Sequence, residues 1–323
     1  MKMKQKLAVV LTAALMIVTM AGCGMNKEKA IEQMEQALRT GYDLQSGKMS
    51  AQMSAEVALG ADTIPMELTM EGSFKDQLQT MAMKTSGEIM GMPIDTETYQ
   101  LDGYSYTLDT ESGKYIKMPS ATAGIDYQKL MTLGQEEMVD LYVQGAQADE
   151  NFAFTEEEKG LRVQFTMPAE QLAGMKDAMS SMMIDELLPT MEQQLRENVQ
   201  SQMDTMLAML PEEQTIDQEQ LDALIDQQVA AIVEMEKQLF QTLEIGALSC
   251  DLLIEDGVIN DQSIQMELSF NLKGLVEALG VTDTTQVPET CTMKMDIHSL
   301  IENRNEDIQI EMPDLSDANI LGE

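Results

Sequence analysis

The sequence has no tryptophan, one histidine, three cysteines, and 20 basic residues against 56 acidic ones. Each scarcity excludes something. A lone imidazole, His298, leaves no histidine pair for a metal and one available base for a Ser-His-Asp or Cys-His centre. No G-x-S-x-G elbow, HExxH helix, EF-hand loop or P-loop accompanies it. His298 follows an alternating stretch near a turn and reads as incidental. Carboxylates are so numerous that spacing singles out no acid/base pair. No catalytic residue, metal ligand set or diffusible cofactor is therefore assigned, and a non-enzymatic protein is expected. A net charge of −36 repels phosphate backbones, so nucleic acid is not an expected partner. Hydrophobic residues make up 44% of 323 positions, enough for a packed core and unlike a disordered acidic tail.

The amino-terminal 22 residues carry Lys2, Lys4 and Lys6 and no acid. Leu7 to Met20 is apolar except for Thr12 and Thr19. Such a segment would make a helix of about 21 Å, short of the roughly 30 Å hydrocarbon core. A positive start, a short apolar run and the small pair Ala21-Gly22 describe a cleaved export signal. Met20-Ala21-Gly22-Cys23 resembles the lipobox of bacterial lipoproteins, with Met20 where leucine is usual. The resemblance implies cleavage between Gly22 and Cys23, a thioether-linked diacylglycerol on Cys23, and a lipid anchor in the cell membrane with the protein on its extracytoplasmic face. Residues 23–29 would be the tether and 30–323 a single domain. Loss of residues 1–22 would take three lysines and no acid, moving the net charge from −36 to −39. That surface does not adhere to anionic headgroups unaided, so the acyl chains would have to hold the membrane.

Two cysteines remain, Cys250 and Cys291. An oxidising compartment permits a disulfide between them; two buried thiols acting as small hydrophobes fit equally well, and spacing does not decide.

Along the chain, Ala30, Ile31, Met34, Ala37 and Leu38 mark an amphipathic helix ended by Gly41. Strict alternation follows over Lys48–Leu59 and Ile64–Glu71, the pattern of antiparallel strands with one wet face. Further strands are expected over Leu78–Lys84, Ile94–Leu101, Tyr104–Leu108, Lys114–Met118, Phe152–Phe154 and Leu161–Met167. Asp102-Gly103 and Ser112-Gly113 are turn signals. A helix is read over 126–144. From Ala169 to about Leu243 the alternation stops, and three helices punctuated by Pro189 and Pro211 are expected. Strands resume over Leu248–Glu255, Ser263–Leu272, Thr290–Ser299 and Ile308–Met312, with a helical turn at Lys273–Leu279. Helix, strands, a helical block and more strands make an α+β protein rather than βαβ units.

Leu101-Asp102-Gly103-Tyr104-Ser105-Tyr106, then Gly113-Lys114-Tyr115-Ile116-Lys117, together with the early helix and the long Lys48–Leu59 strand, resemble the DUF6612-type lipoproteins of Gram-positive bacteria. Through them the chain resembles the LolA-like and LppX/LprG-like group. The likeness spans roughly 26–168 and 244–315; Tyr115 stands where the family commonly has tryptophan. It implies a strongly curved antiparallel sheet, a half-barrel covered by helices, with residues 169–243 as a helical insertion. It also implies an apolar concavity able to hold a lipid or other apolar ligand.

Methionine is the unusual component: without Met1, Met3, Met16 and Met20, 27 of the 31 remain. Most fall on apolar faces of strands and helices, where a core role is expected, a lining for an apolar groove being one form of it. Spacings such as Met203-x-x-Met206-x-x-Met209 would suit soft Cu(I) but are explained by burial. Residues 212–239 set eight acids opposite Ile216, Leu221, Leu224, Ile225, Val229, Ile232 and Val233. That is a solvated helix face, or a docking surface in a cell-envelope interaction module without a small ligand, the second functional reading.

Overall fold

The computed structural model describes residues 26–41, 43–119, 135–148, 151–182, 218–278, 283–316 and 319–321, with 184, 188, 189, 192, 196 and 200. The export segment, Gly22 and Cys23, residues 126–134 of the expected second helix and most of 183–217 lie outside them.

Alternation builds the sheet, as read from the sequence. β1 (Gly47–Leu59), β2 (Asp62–Lys75), β3 (Thr80–Ile89), β4 (Met92–Leu101), β5 (Tyr104–Asp109) and β6 (Lys114–Pro119) form one antiparallel meander. The chain then crosses to the far edge and works inward through β7 (Phe152–Glu157), β8 (Gly160–Met167), β9 (Glu244–Glu255), β10 (Val258–Phe270) and β11 (Cys291–Glu302). β11 closes on β1, and β12 (Ile320–Leu321) adds two residues parallel to β6. The order is β12-β6-β5-β4-β3-β2-β1-β11-β10-β9-β8-β7. The result is an α+β fold with a strongly curved antiparallel sheet. The helical block is inserted between β8 and β9, which pair directly from Leu161–Ile254 to Met167–Leu248.

Helices α1 (Lys27–Thr40), α2 (Gln135–Ala148) and α3 (Ala169–Met182) cover β7–β10. Ala30, Ile31 and Met34 of α1, Val139 and Tyr142 of α2 and Leu172 of α3 share one buried cluster with Val163, Phe165, Leu248 and Leu252. α4 (Gln218–Thr242) buries the stripe Leu221, Ile225 and Val229, and α5 (Leu272–Ala278) precedes β11. Asn271 caps α5, its Oδ1 accepting the Gly274 amide at 2.8 Å.

Several boundaries differ from the sequence reading, three of them with a local cause or consequence. α1 starts at Lys27, not Ala30, because Asn26 caps it by accepting the Glu28 amide; Lys27–Lys29 are helix rather than tether. β3 starts at Thr80, because Asp76, Gln77 and Leu78 all take positive φ in the preceding turn. Ile308–Met312 is extended but unpaired. Its alternation records one-sided burial without a strand partner.

Candidate ligand-binding face

Because side chains alternate across a strand, register decides which residues share a face. One row runs Met92, Ile89, Met66, Ala55, Met295, Met266, Leu248, Met167 across eight strands. At 4.7–4.9 Å per strand this covers about 34 Å. The next row runs Ile94, Gly87, Leu68, Met53, Ile297, Ile264, Cys250, Phe165, Phe152, ending in a ring stack of Phe165 on Phe152 at 4.6 Å. A third, Thr96, Thr85, Met70, Ala51, Ser299, Gln262, Leu252, Val163, Phe154, adds hydroxyls at one end. None of the three rows carries a charge.

Burial changes along these rows. Met167 is 1% exposed beneath the helices and Met92 is 61% exposed at the other end. Between them Met53, Met66, Met70, Met266, Met293 and Met295 are half-buried. Among the described residues Met34 and Met167 are buried in the large cluster, with Leu, Ile, Val, Ala, aromatic residues and Cys250, and the partly buried Met138 and Met266 pack against it. The described methionines thus divide between the closed core and the partly buried lining that the sequence reading counted as one form of a core role. The deeply buried core is built mainly from stiff side chains, and partly buried thioethers pack at its margin and along the sheet.

The opposite face is polar. Arg162 donates to Glu157 at 2.6 Å and to Asp251 at 2.7 Å, and both hydrogen bonds hold its guanidinium more firmly protonated. Gln164 donates to Asp251, and Gln265 to Asp296, each at 2.7 Å. His298 faces Asp261 at 2.9 Å and is half exposed. An open trough of about 500 Å³ runs across β2, β1, β11 and β10, its lining mixing Glu56, Glu67, Glu267, Lys294 and Asp296 with Met66, Met266 and Met295.

Cys250 and Cys291 are both free and buried. Cys250 is paired with Ile264 and Cys291 with Phe270, six positions apart on β10, which separates their strands. That places them roughly 20 Å apart along the sheet, beyond the ~7 Å Cα limit for a disulfide. Of the two readings the sequence left open, the structure shows two buried thiols. Burial pushes the Cys250 thiol up to about 12 and raises that of Cys291. Among the described residues no cluster of three or more His, Cys, Asp or Glu could hold a metal, and no helix is long and apolar enough to cross a membrane.

No family model and no curated protein matches the chain, so the DUF6612 likeness rests on the motifs quoted above. Among solved structures it is similar to LprF from Mycobacterium bovis, at 11% identity over 90% of this chain and 99% of that one, with a TM-score of 0.40. It is similar to the lipoprotein LppX from Mycobacterium tuberculosis at 8% identity over 88% and 100%, TM-score 0.31. A DUF1329 family protein from Desulfovibrio piger follows at 6% identity over 89% and 97%, TM-score 0.22.

Proposed function

We propose that this protein is an exported lipoprotein, cleaved after Gly22 and lipidated on Cys23, that binds an apolar ligand on its methionine-lined sheet face. It performs no catalysis and works at the extracytoplasmic side of the cell membrane. One observation carries the binding reading: an uncharged, methionine-rich part of the sheet stays only partly buried while the helices close the rest. Leaving that much apolar surface in water is unfavourable by about 25 cal/mol per Å² unless something covers it. Unbranched thioethers adapt to ligands of varied shape better than stiff Val or Ile. The absence of charge on the three rows selects the apolar part of a ligand.

The lipid anchor rests on Met20-Ala21-Gly22-Cys23 and the preceding basic and apolar stretches. With α1 starting at Lys27, only residues 24–26 would separate the lipidated cysteine from folded structure, about 10 Å when extended. Lipid extraction and native mass spectrometry of the full chain purified from membranes test both parts. An apolar molecule released from the wild type, and a Cys23→Ala chain found unprocessed or shed, are the expected results. A wild-type chain that carries nothing and takes up no apolar probe rejects the binding reading. A Cys23→Ala chain still held in the membrane after processing rejects the anchor.

A further inference from the structure

The chain's reactive sulfur is distributed in an ordered way. Both free thiols are buried, and neither can act as a thiolate near neutral pH because burial opposes their ionisation. The thioethers show the reverse pattern. Met66, Met295 and Met266 occupy one cross-strand row, separated only by Ala55, and each is half-buried. Met34 and Met167, behind the helices, are 0% and 1% exposed. An oxidant arriving from solvent therefore meets the exposed Met90, Met92 and Met118 first, then the partly buried Met66, Met266 and Met295, and is kept from Met34 and Met167.

We propose that Met66, Met266 and Met295 form a reversible modification site at which peroxide oxidation releases the apolar ligand; this rests on the binding reading above. In the step, the thioether sulfur attacks one peroxide oxygen and the O–O bond breaks. The sulfur gains an S=O oxygen and loses two electrons, and the second peroxide oxygen leaves as water. Methionine sulfoxide reductase, drawing on a thiol reductant, returns the thioether. The sulfoxide is polar and needs hydrogen-bond partners that a row of Ile, Ala and Met side chains does not supply. Each modified residue thus turns ligand-binding surface into surface that prefers water. Met266 and Met295 stand directly opposite each other, so oxidation of either alters the surface seen by its neighbour.

The test uses the full chain in detergent, the neutral fluorophore N-phenyl-1-naphthylamine as apolar probe, and protein-free micelles as the blank. Hydrogen peroxide treatment is followed by peptide mass mapping. The expected result is sulfoxide at Met66, Met266 and Met295 before any at Met34 or Met167. Probe fluorescence should fall by more than half and return after methionine sulfoxide reductase treatment. Whatever probe a chain carrying Met66→Leu, Met266→Leu and Met295→Leu takes up before treatment, it should retain that same fraction after peroxide, whereas the wild type loses more than half of its own. Sulfoxide on all three residues with full probe retention overturns the site and leaves the binding reading standing. Equal loss from the leucine chain also overturns it. An untreated wild-type chain that takes up no probe overturns both.

Discussion

Arg304 donates from Nη1 to the main-chain carbonyl of Gly41 at 2.9 Å, joining the segment after the last long strand to the end of the first helix. Its Nη2 donates to the Ile259 carbonyl at 2.8 Å and its Nε to Asn260 Oδ1 at 3.1 Å. Burial lowers its pKa, partly offset by Asp43, so the guanidinium is held despite a desolvation cost. Arg304→Met leaves three acceptors without their donor and should cost about 2–4 kcal/mol. Arg304→Lys should not restore it, because an ammonium cannot reproduce the fork. Urea denaturation of the three chains measures the difference; equal midpoints would refute the clamp.

Gly87 is required by the sheet rather than by a turn. Its φ is +149°, and a Cβ there would lie 1.9 Å from the Glu67 carbonyl oxygen on β2. Gly87→Ala should force the β2–β3 pair apart and cost at least about 3 kcal/mol. Gly113→Ala, at φ +69° with nothing within 4 Å, is the comparison. It should cost about 1 kcal/mol, from backbone strain alone. A thermal shift no larger for Gly87→Ala than for Gly113→Ala would contradict the register.

What the sequence made legible follows from the range of each signal. Alternation over Met49–Leu59 and the Asp102-Gly103 and Asp256-Gly257 dipeptides are local, and both turns have the paired positive φ of tight hairpins. The distance between Cys250 and Cys291 is not local: it depends on β10 lying between their strands, which neither flanking sequence encodes. Likewise, alternation tells that Met53 and Met66 share an apolar face but not whether a helix covers that face. The methionines therefore read as core, and which of them lie beneath helices emerged only from packing.

The Cys250 thiol ties stability to alkaline pH. Its pKa rises from 9.0 unfolded to about 12 folded, so the folded state favours the neutral thiol. A raised folded pKa contributes stability that is complete below the unfolded value and is lost as pH climbs through the folded one. Stability should therefore decline between pH 9 and about 12, by up to about 1.4 kcal/mol per pH unit from this group. Cys250→Ala should be less stable near pH 8, having lost a buried sulfur, yet show a shallower decline above pH 9. Parallel curves for the two chains would exclude the thiol as the source.

Met90 breaks a local rule, and the break is informative. It occupies the first turn position between β3 and β4 at φ +55°, followed by Gly91 at φ +77°, where Asn or Asp is the usual choice. Its side chain is 60% exposed, with Met92 beside it at 61%. A left-handed conformation costs an ordinary L residue roughly 1 kcal/mol, and exposure returns nothing to offset it. Met90→Asn should therefore stabilise the fold by about 0.5–1 kcal/mol, since Asn tolerates this conformation. Met90→Ala, which removes the exposed thioether but keeps the strain, should leave stability nearly unchanged. Finding the two substitutions equal would mean that the thioether, not the turn, sets the energy. If Asn stabilises and Ala does not, the methionine is held at this tip against folding stability, at the exposed end of the row that runs through Met66, Met295 and Met266.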